Sequence, residues 1–213
     1  MTITFACLAY DGIEPIDIGA TYGVLSMAKR IAPALEFFVV ARTAGEVVMA
    51  NGLRVIADYG FDDCPSHDAL IVLGGPGWDA ASGDEATLSF VRASSATSQV
   101  VASVCTGAMI VGAAGLLSGR AATTKREVFA GETAPVDLIA GRYGANAMTA
   151  RVVDTGDIVT GGGVSLGIDL TLYLIERFCG AEIAAETARV LEYASARQAN
   201  AARMPDYVSE SGT

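Results

Sequence analysis

Apolar runs and mixed stretches alternate along this chain with two different periods. Residues 2–9, apolar apart from Thr2 and Thr4, predict a buried strand. Residues 15–29 repeat their apolar positions at helical spacing, with Pro15 suited to a first turn. Glu36–Ala41 predicts a second strand, and the Val and Ile positions of 45–58 flank Asn51-Gly52, a hairpin signal. Ala69–Gly75 predicts a strand that runs into glycines, 83–97 a helix, Gln99–Cys105 a strand and 106–117 a helix of small residues. Gly119–Thr124 opens as a further strand, 151–161 as a short β pair, and 165–178 and 181–198 as two helices. The segment after Ala201, with Pro205 and a Ser/Glu/Gly/Thr end, is expected to fray.

Strands alternating with helices in this order predict an α/β fold: a doubly wound, mostly parallel sheet with helices on both faces. In such sheets the reactive groups gather outside the carboxyl ends of the strands. That rule brings Gly74, Gly75 and Cys105 to one edge. No repeat, linker or low-complexity stretch divides residues 1–213, so one domain is expected; 52% hydrophobic residues suit a sizeable core.

Charge narrows the choice of partner. A formal net charge of −10 repels nucleic acid and anionic lipid, so neither is an expected partner. No apolar run reaches a membrane span, and the N-terminus lacks the basic and apolar regions of a signal peptide. The four cysteines, Cys7, Cys64, Cys105 and Cys179, are scattered, which fits reduced thiols and a cytoplasmic location. With one histidine and no CxxC, no metal site is expected, and no cofactor is called for.

Candidate chemistry centres on Val100–Met109. A buried strand runs straight into Cys105, and Thr106-Gly107 opens a helix at once, the pattern of a nucleophile elbow. The helix N-terminus is expected to lower the thiol pKa. A buried structural cysteine is the bland alternative, and Cys7, inside its strand, reads as one. Leu73-Gly74-Gly75-Pro76-Gly77 ends the neighbouring strand; it is either a tight turn or, through Gly75 together with Thr106, a source of oxyanion donors. His67 precedes the 69–75 strand, and seven strand residues span about 23 Å, so it is expected far from Cys105. A carboxylate must then serve as acid–base partner. Glu14 and Asp17, three residues apart at the carboxyl edge, both qualify, and both could equally be first-turn residues complementing the helix dipole.

These blocks together resemble the DJ-1/PfpI (ThiJ/PfpI) superfamily, and within it the isonitrile-hydratase-like branch. The resemblance rests on Pro15-Ile16-Asp17-Ile18, Leu73–Gly77, Ser103–Ala108, Ala114–Thr124 and Gly161–Leu170. It implies a flavodoxin-like fold, a homodimer and a reactive Cys105. It also implies that Asp17, rather than Glu14, stands beside the thiol and that Thr106 serves catalysis; Gly75, with Gly74 beside it, remains the candidate read from the strand-end turn for stabilising the substrate's charge. The implied reaction is hydration of an isonitrile, a small electrophilic substrate, to an N-substituted formamide. A glyoxalase- or amidase-like reaction through the same thiol is the alternative enzyme, and a redox-sensing or ligand-binding protein the alternative outside enzymes. Two departures stand out. Lys125 occupies a position where relatives often carry His, and no helix-turn-helix module accompanies the domain, so DNA binding is not expected.

Overall fold

The computed structural model describes residues 2–209. Its framework is a seven-stranded sheet flanked by helices. In chain order, β1 (Ile3–Leu8) leads to α1 (Pro15–Ile18), a π-turn over Gly19–Gly23 and α2 (Val24–Lys29). Next come β2 (Leu35–Val40), the hairpin β3 (Gly45–Val48) and β4 (Arg54–Ala57), and β5 (Ala69–Val72). The helices α3 (Trp78–Gly83) and α4 (Glu85–Thr97) then return the chain to β6 (Val100–Ser103), which feeds α5 (Gly107–Ala113). Beyond it lie β7 (Ala121–Ala122), α6 (Pro135–Tyr143), β8 (Asn146–Ala147), β9 (Val152–Asp154) and β10 (Ile158–Gly161). The chain closes with α7 (Gly167–Cys179), α8 (Ala181–Val190), α9 (Ala194–Arg203) and β11 (Tyr207–Val208).

The sheet order is β11-β9-β10-β6-β5-β1-β2, with only the β9–β10 pair antiparallel. Strand alternation builds two cores. Phe5, Cys7, Ile71 and Ala102 face one side with Leu25, Leu170 and Leu174 from the helices; Ala6, Leu8, Leu70 and Val101 face the other with Val91, Met109 and Ile139. Burial of both faces is why β1, β5 and β6 read as mostly apolar runs rather than as an alternation of apolar and polar residues. The fold is therefore the expected doubly wound, flavodoxin-like α/β arrangement. The chain crosses from β2 to β5, on the other side of β1, which makes the carboxyl ends of β1 and β5 a topological switch point.

Several expectations need correction. The expected helix over 15–29 is interrupted by its π-turn, where the Thr21 hydroxyl bonds the carbonyl of Asp17 at 2.9 Å. The expected helix over 83–97 begins afresh at Asp84, whose carboxylate caps it by accepting from the Thr87 N–H at 3.1 Å. The expected helix over 181–198 breaks at Glu192, which takes φ 55°. The tail does not fray at Ala201. Helix α9 continues to Arg203, and Tyr207–Val208 pairs in parallel with Val153–Asp154; residues 210–213 lie outside the described residues. Asn51 and Gly52 lie in the loop of the expected hairpin with φ 60° and 87°; that loop is closed by the Met49 N–H donating to Leu53 O at 2.8 Å and the Gly52 N–H to Met49 O at 3.1 Å. Among the described residues no helix is long and apolar enough to cross a membrane.

Candidate active site

Four parallel strands, β1, β5, β6 and β10, end at the same edge and deliver Asp17, Gly74, Cys105 and the Gly162–Val164 segment to one place. Cys105 sits on the turn between β6 and α5 with φ 50°, a conformation that L side chains avoid. Its backbone is held at both ends. Its N–H donates to Gly162 O at 3.1 Å, and its carbonyl accepts from the Thr124 hydroxyl at 2.5 Å. The turn is possible because Gly107 packs on β5: a Cβ there would lie 2.2 Å from Val72 O.

Gly74 is the hub of the site. A Cβ at that position would fall 2.6 Å from Asp17 Oδ2, 2.6 Å from Thr106 N and 2.8 Å from Cys105 Cβ. Asp17, Thr106 and Cys105 therefore converge on one glycine. The Gly74 N–H donates to Asp17 Oδ2 at 3.0 Å. The other carboxylate oxygen, Oδ1, is buried and has no hydrogen-bond partner among the described residues.

The expected oxyanion donors are placed differently. The Gly75 N–H donates to Thr106 Oγ1 at 2.8 Å, and the Thr106 hydroxyl donates back to Gly75 O at 3.2 Å. Both glycine N–H groups are thus committed to holding the site together, and neither is free for a substrate oxyanion. The Thr106 hydroxyl acts as a strut between the elbow and the 74–77 turn. The backbone N–H groups of Thr106, expected beside the sulfur, and of Val164 both act to lower the thiol pKa. Val164 escaped the sequence reading. It has φ 46°, costly for a β-branched residue, and directly follows the Gly-rich run 161–163. Tyr10 also escaped it: its hydroxyl donates to Leu73 O at 2.9 Å, and its phenol pKa is raised by burial and then by the charges of Asp17 and Cys105.

Electrostatics overturn one expectation. Burial pushes the Cys105 thiol pKa up, with Asp17's charge adding to the rise; the N–H groups of Val164 and Thr106 and the charge of Lys125 act the other way but do not prevail. At 3% exposure, desolvation outweighs the helix dipole. Asp17 is raised to about 7, chiefly by burial; the Gly74 N–H and the Cys105 thiol lower it, Glu14 raises it and Lys125 lowers it. Thiol and carboxyl therefore meet as a buried pair.

Glu14 is half-buried and opens α1, its N–H donating to Gly74 O at 2.9 Å. His67 precedes β5 and so lies at the opposite edge from Cys105, its Nδ1 2.9 Å from Pro65 O. Cys7 is buried within β1. Among the described residues no group of three or more His, Cys, Asp or Glu side chains is placed to hold a metal.

A doubly wound sheet with a strained cysteine elbow on the strand next to its switch point defines a class of thiol-bearing α/β proteins, and residues 3–177 match the DJ-1/PfpI family. The chain belongs to that family. It is 35% identical over 196 residues to the isonitrile hydratase of Pseudomonas putida, a match covering 92% of this chain and 81% of that one. A solved ThiJ/PfpI family protein from Pseudomonas syringae superposes with TM-score 0.78 at 27% identity, covering 96% of this chain and 88% of its own. DJ-1beta of Drosophila melanogaster, at 18% identity and TM-score 0.74, covers 90% of this chain and 98% of its own and shares the fold.

Proposed function

We propose that this protein hydrates an isonitrile to an N-substituted formamide through Cys105. The observation that carries the reading is the buried pair itself: a neutral thiol on a strained elbow beside a carboxylate with one unsatisfied oxygen. The similarity to the isonitrile hydratase of Pseudomonas putida supports the choice of reaction. Asp17 takes the thiol proton as sulfur bonds to the terminal isonitrile carbon. It returns that proton to the same carbon, which leaves a thioimidate. Asp17, again a carboxylate, then removes a proton from the water that adds to the thioimidate carbon. Protonation of nitrogen and cleavage of the C–S bond release the formamide and restore the thiol. The N–H groups of Thr106 and Val164 stabilise the sulfur while it carries charge. A carboxyl pKa near 7 suits a group that must both accept and donate a proton near neutrality.

A redox sensor needs an accessible thiol of depressed pKa, and Cys105 has neither property. The test is direct. Cyclohexyl isocyanide should yield N-cyclohexylformamide, and Cys105→Ser should reduce turnover to the uncatalysed rate. Turnover of methylglyoxal with none of the isocyanide would replace hydration by the glyoxalase-like reading.

A further inference from the structure

The peptide unit that joins Leu73 to Gly74 is bonded by a side chain at each end. Its N–H donates to Asp17 Oδ2 at 3.0 Å, and its carbonyl accepts from the Tyr10 hydroxyl at 2.9 Å. The next unit, between Gly74 and Gly75, is held in the same way. Its carbonyl accepts from the Glu14 N–H at 2.9 Å, and its N–H donates to Thr106 Oγ1 at 2.8 Å. Tyr10, Glu14, Asp17 and Thr106 therefore fix two consecutive peptides, and of the four only Tyr10 has a side chain with no place yet in the site's chemistry or its support.

Leu73 is completely buried, and among the described residues the Tyr10 hydroxyl is the one hydrogen-bond donor to its carbonyl. The hydroxyl is carried by a braced segment. Tyr10 opens the loop between β1 and α1, its own carbonyl accepting from the Ile13 N–H at 3.2 Å. Gly12, in the same loop, accepts from the Gly77 N–H at 3.1 Å, which ties the loop to the turn that carries Gly74. Burial, and then the charges of Asp17 and Cys105, push the phenol pKa up, so the hydroxyl keeps its proton across the neutral range.

We propose that Tyr10 is a positioning residue for Asp17: through the single peptide unit 73–74 its hydroxyl aims and strengthens the N–H that holds the carboxylate. Hydrogen bonds in a chain polarise one another, and the conjugated amide transmits the effect from its carbonyl to its N–H. A carbonyl that accepts from Tyr10 makes the Gly74 N–H the stronger donor, and a stronger donor favours the charged form of Asp17. The inference rests on the hydration reading in one respect, that Asp17 carries the proton.

Tyr10→Phe removes a dipole and no charge. Asp17 otherwise faces Cys105, Glu14 and Lys125, all of which the variant keeps. The Asp17 titration can be read without substrate, by carbon NMR on protein labelled at its aspartate carboxyls, the signal being assigned by its absence in Asp17→Asn. It should move up by about half a unit in Tyr10→Phe. On cyclohexyl isocyanide the rising limb of the kcat profile should move with it, which about halves kcat at pH 7 and leaves KM unchanged. Salt should not alter the shift, as it would for a lost charge. A 3-fluorotyrosine placed at position 10 keeps the ring and the bond but has a more acidic hydroxyl, a stronger donor. It should move both curves down, and it carries the test if Tyr10→Phe does not fold. An Asp17 titration unmoved in either folded variant overturns the proposal, even where Tyr10→Phe melts earlier or turns over more slowly at every pH, because those losses are what a merely structural hydroxyl would give. A shifted titration in a protein that hydrates no isonitrile upholds the relay and sinks the hydration reading. Hydration that keeps the parent's pH profile and titration in both variants does the reverse.

Discussion

The two most deeply buried aspartates of this molecule, Asp17 and Asp169, live by opposite rules. Asp169, on α7, is satisfied on both oxygens: Oδ1 accepts from Arg151 at 3.0 Å, and Oδ2 accepts from the Tyr193 hydroxyl at 2.7 Å and from Asn200 at 2.9 Å. Arg151 is in turn clamped by Asp206 at 2.5 Å. This network ties β9, α7, α9 and the residues before β11 into one unit. Asp17 accepts a single N–H, from Gly74, and leaves Oδ1 without a partner among the described residues. Burial without compensation is expensive, and a fold that satisfies one buried carboxylate this fully has no difficulty satisfying a second. The difference makes Asp169 a fastening and leaves Asp17 with a buried oxygen open to a partner, as its proposed role in proton transfer requires.

The largest effects should separate the two residues along different axes. Asp17→Asn is expected to lower turnover by about 10²–10⁴-fold, the usual worth of a general acid–base group, while leaving the folded structure intact. Asp169→Ala is expected to cost about 3–5 kcal/mol of stability by stranding Arg151 with half its partners. Its specific activity, measured on the folded fraction, should change far less. Turnover assays and thermal melts on both variants decide the matter. An active Asp17→Asn would remove Asp17 from the mechanism, and an Asp169→Ala protein of unchanged melting temperature would show the network to be ornamental.

The pH dependence of stability sharpens the comparison further. The folded-state pKa of Asp17, about 7, stands above the roughly 3.9 of an unfolded aspartate. Between those values the folded state holds the proton more tightly, so its contribution is greatest below pH 4 and is lost as pH rises through 7. A displacement of this size amounts to about 4 kcal/mol over that window. Asp17→Asn removes the titration, so the variant should match the parent at pH 4 and exceed it in stability at pH 8. Turnover should follow the opposite course, rising toward pH 7 as the base form appears. Denaturant unfolding across this range measures it; parallel pH profiles for parent and variant would contradict the raised pKa.

Much of this site was legible because its signals are local. Strand, Cys105, Thr106, Gly107 and helix follow one another without a gap, and the parallel strand order carries Gly74 to the same edge. Helix α6 was equally legible and went unread: Pro135 opens it, Asp137 and Arg142 complement its dipole, and Gly144 closes it with φ 66°. Other parts were not local. The choice between Glu14 and Asp17 turns on which face of the first turn packs beneath Gly74, and residue spacing left it open. Val164 acts on the thiol through its N–H from a left-handed backbone that its side chain disfavours, so propensity points away from the answer. The direction of the Cys105 shift depends on how deeply the elbow is buried, which no motif records; dipole reasoning alone gave the wrong sign.

The smallest effect is the most discriminating test of Asp17's surroundings. Glu14 is half-buried, bonds Gly74 O through its backbone and raises the Asp17 pKa by charge alone. It is the weakest but one of the influences on that carboxyl, behind burial, the Gly74 N–H and the thiol. Glu14→Gln keeps the backbone bond and removes only the charge. The acidic limb of the pH–rate profile should therefore move to lower pH by a few tenths of a unit, as expected for one partly solvated charge near another. The plateau rate should hold within about twofold. Added salt should move the parent's limb in the same direction and leave the variant's nearly still, because the screened interaction is already gone. His67→Ala, at the far edge of the sheet, should move neither limb nor plateau. A collapse of the plateau in Glu14→Gln would transfer the proton-handling role from Asp17 to Glu14. A shifted limb in His67→Ala would mean that charge at the amino edge reaches the thiol through the sheet.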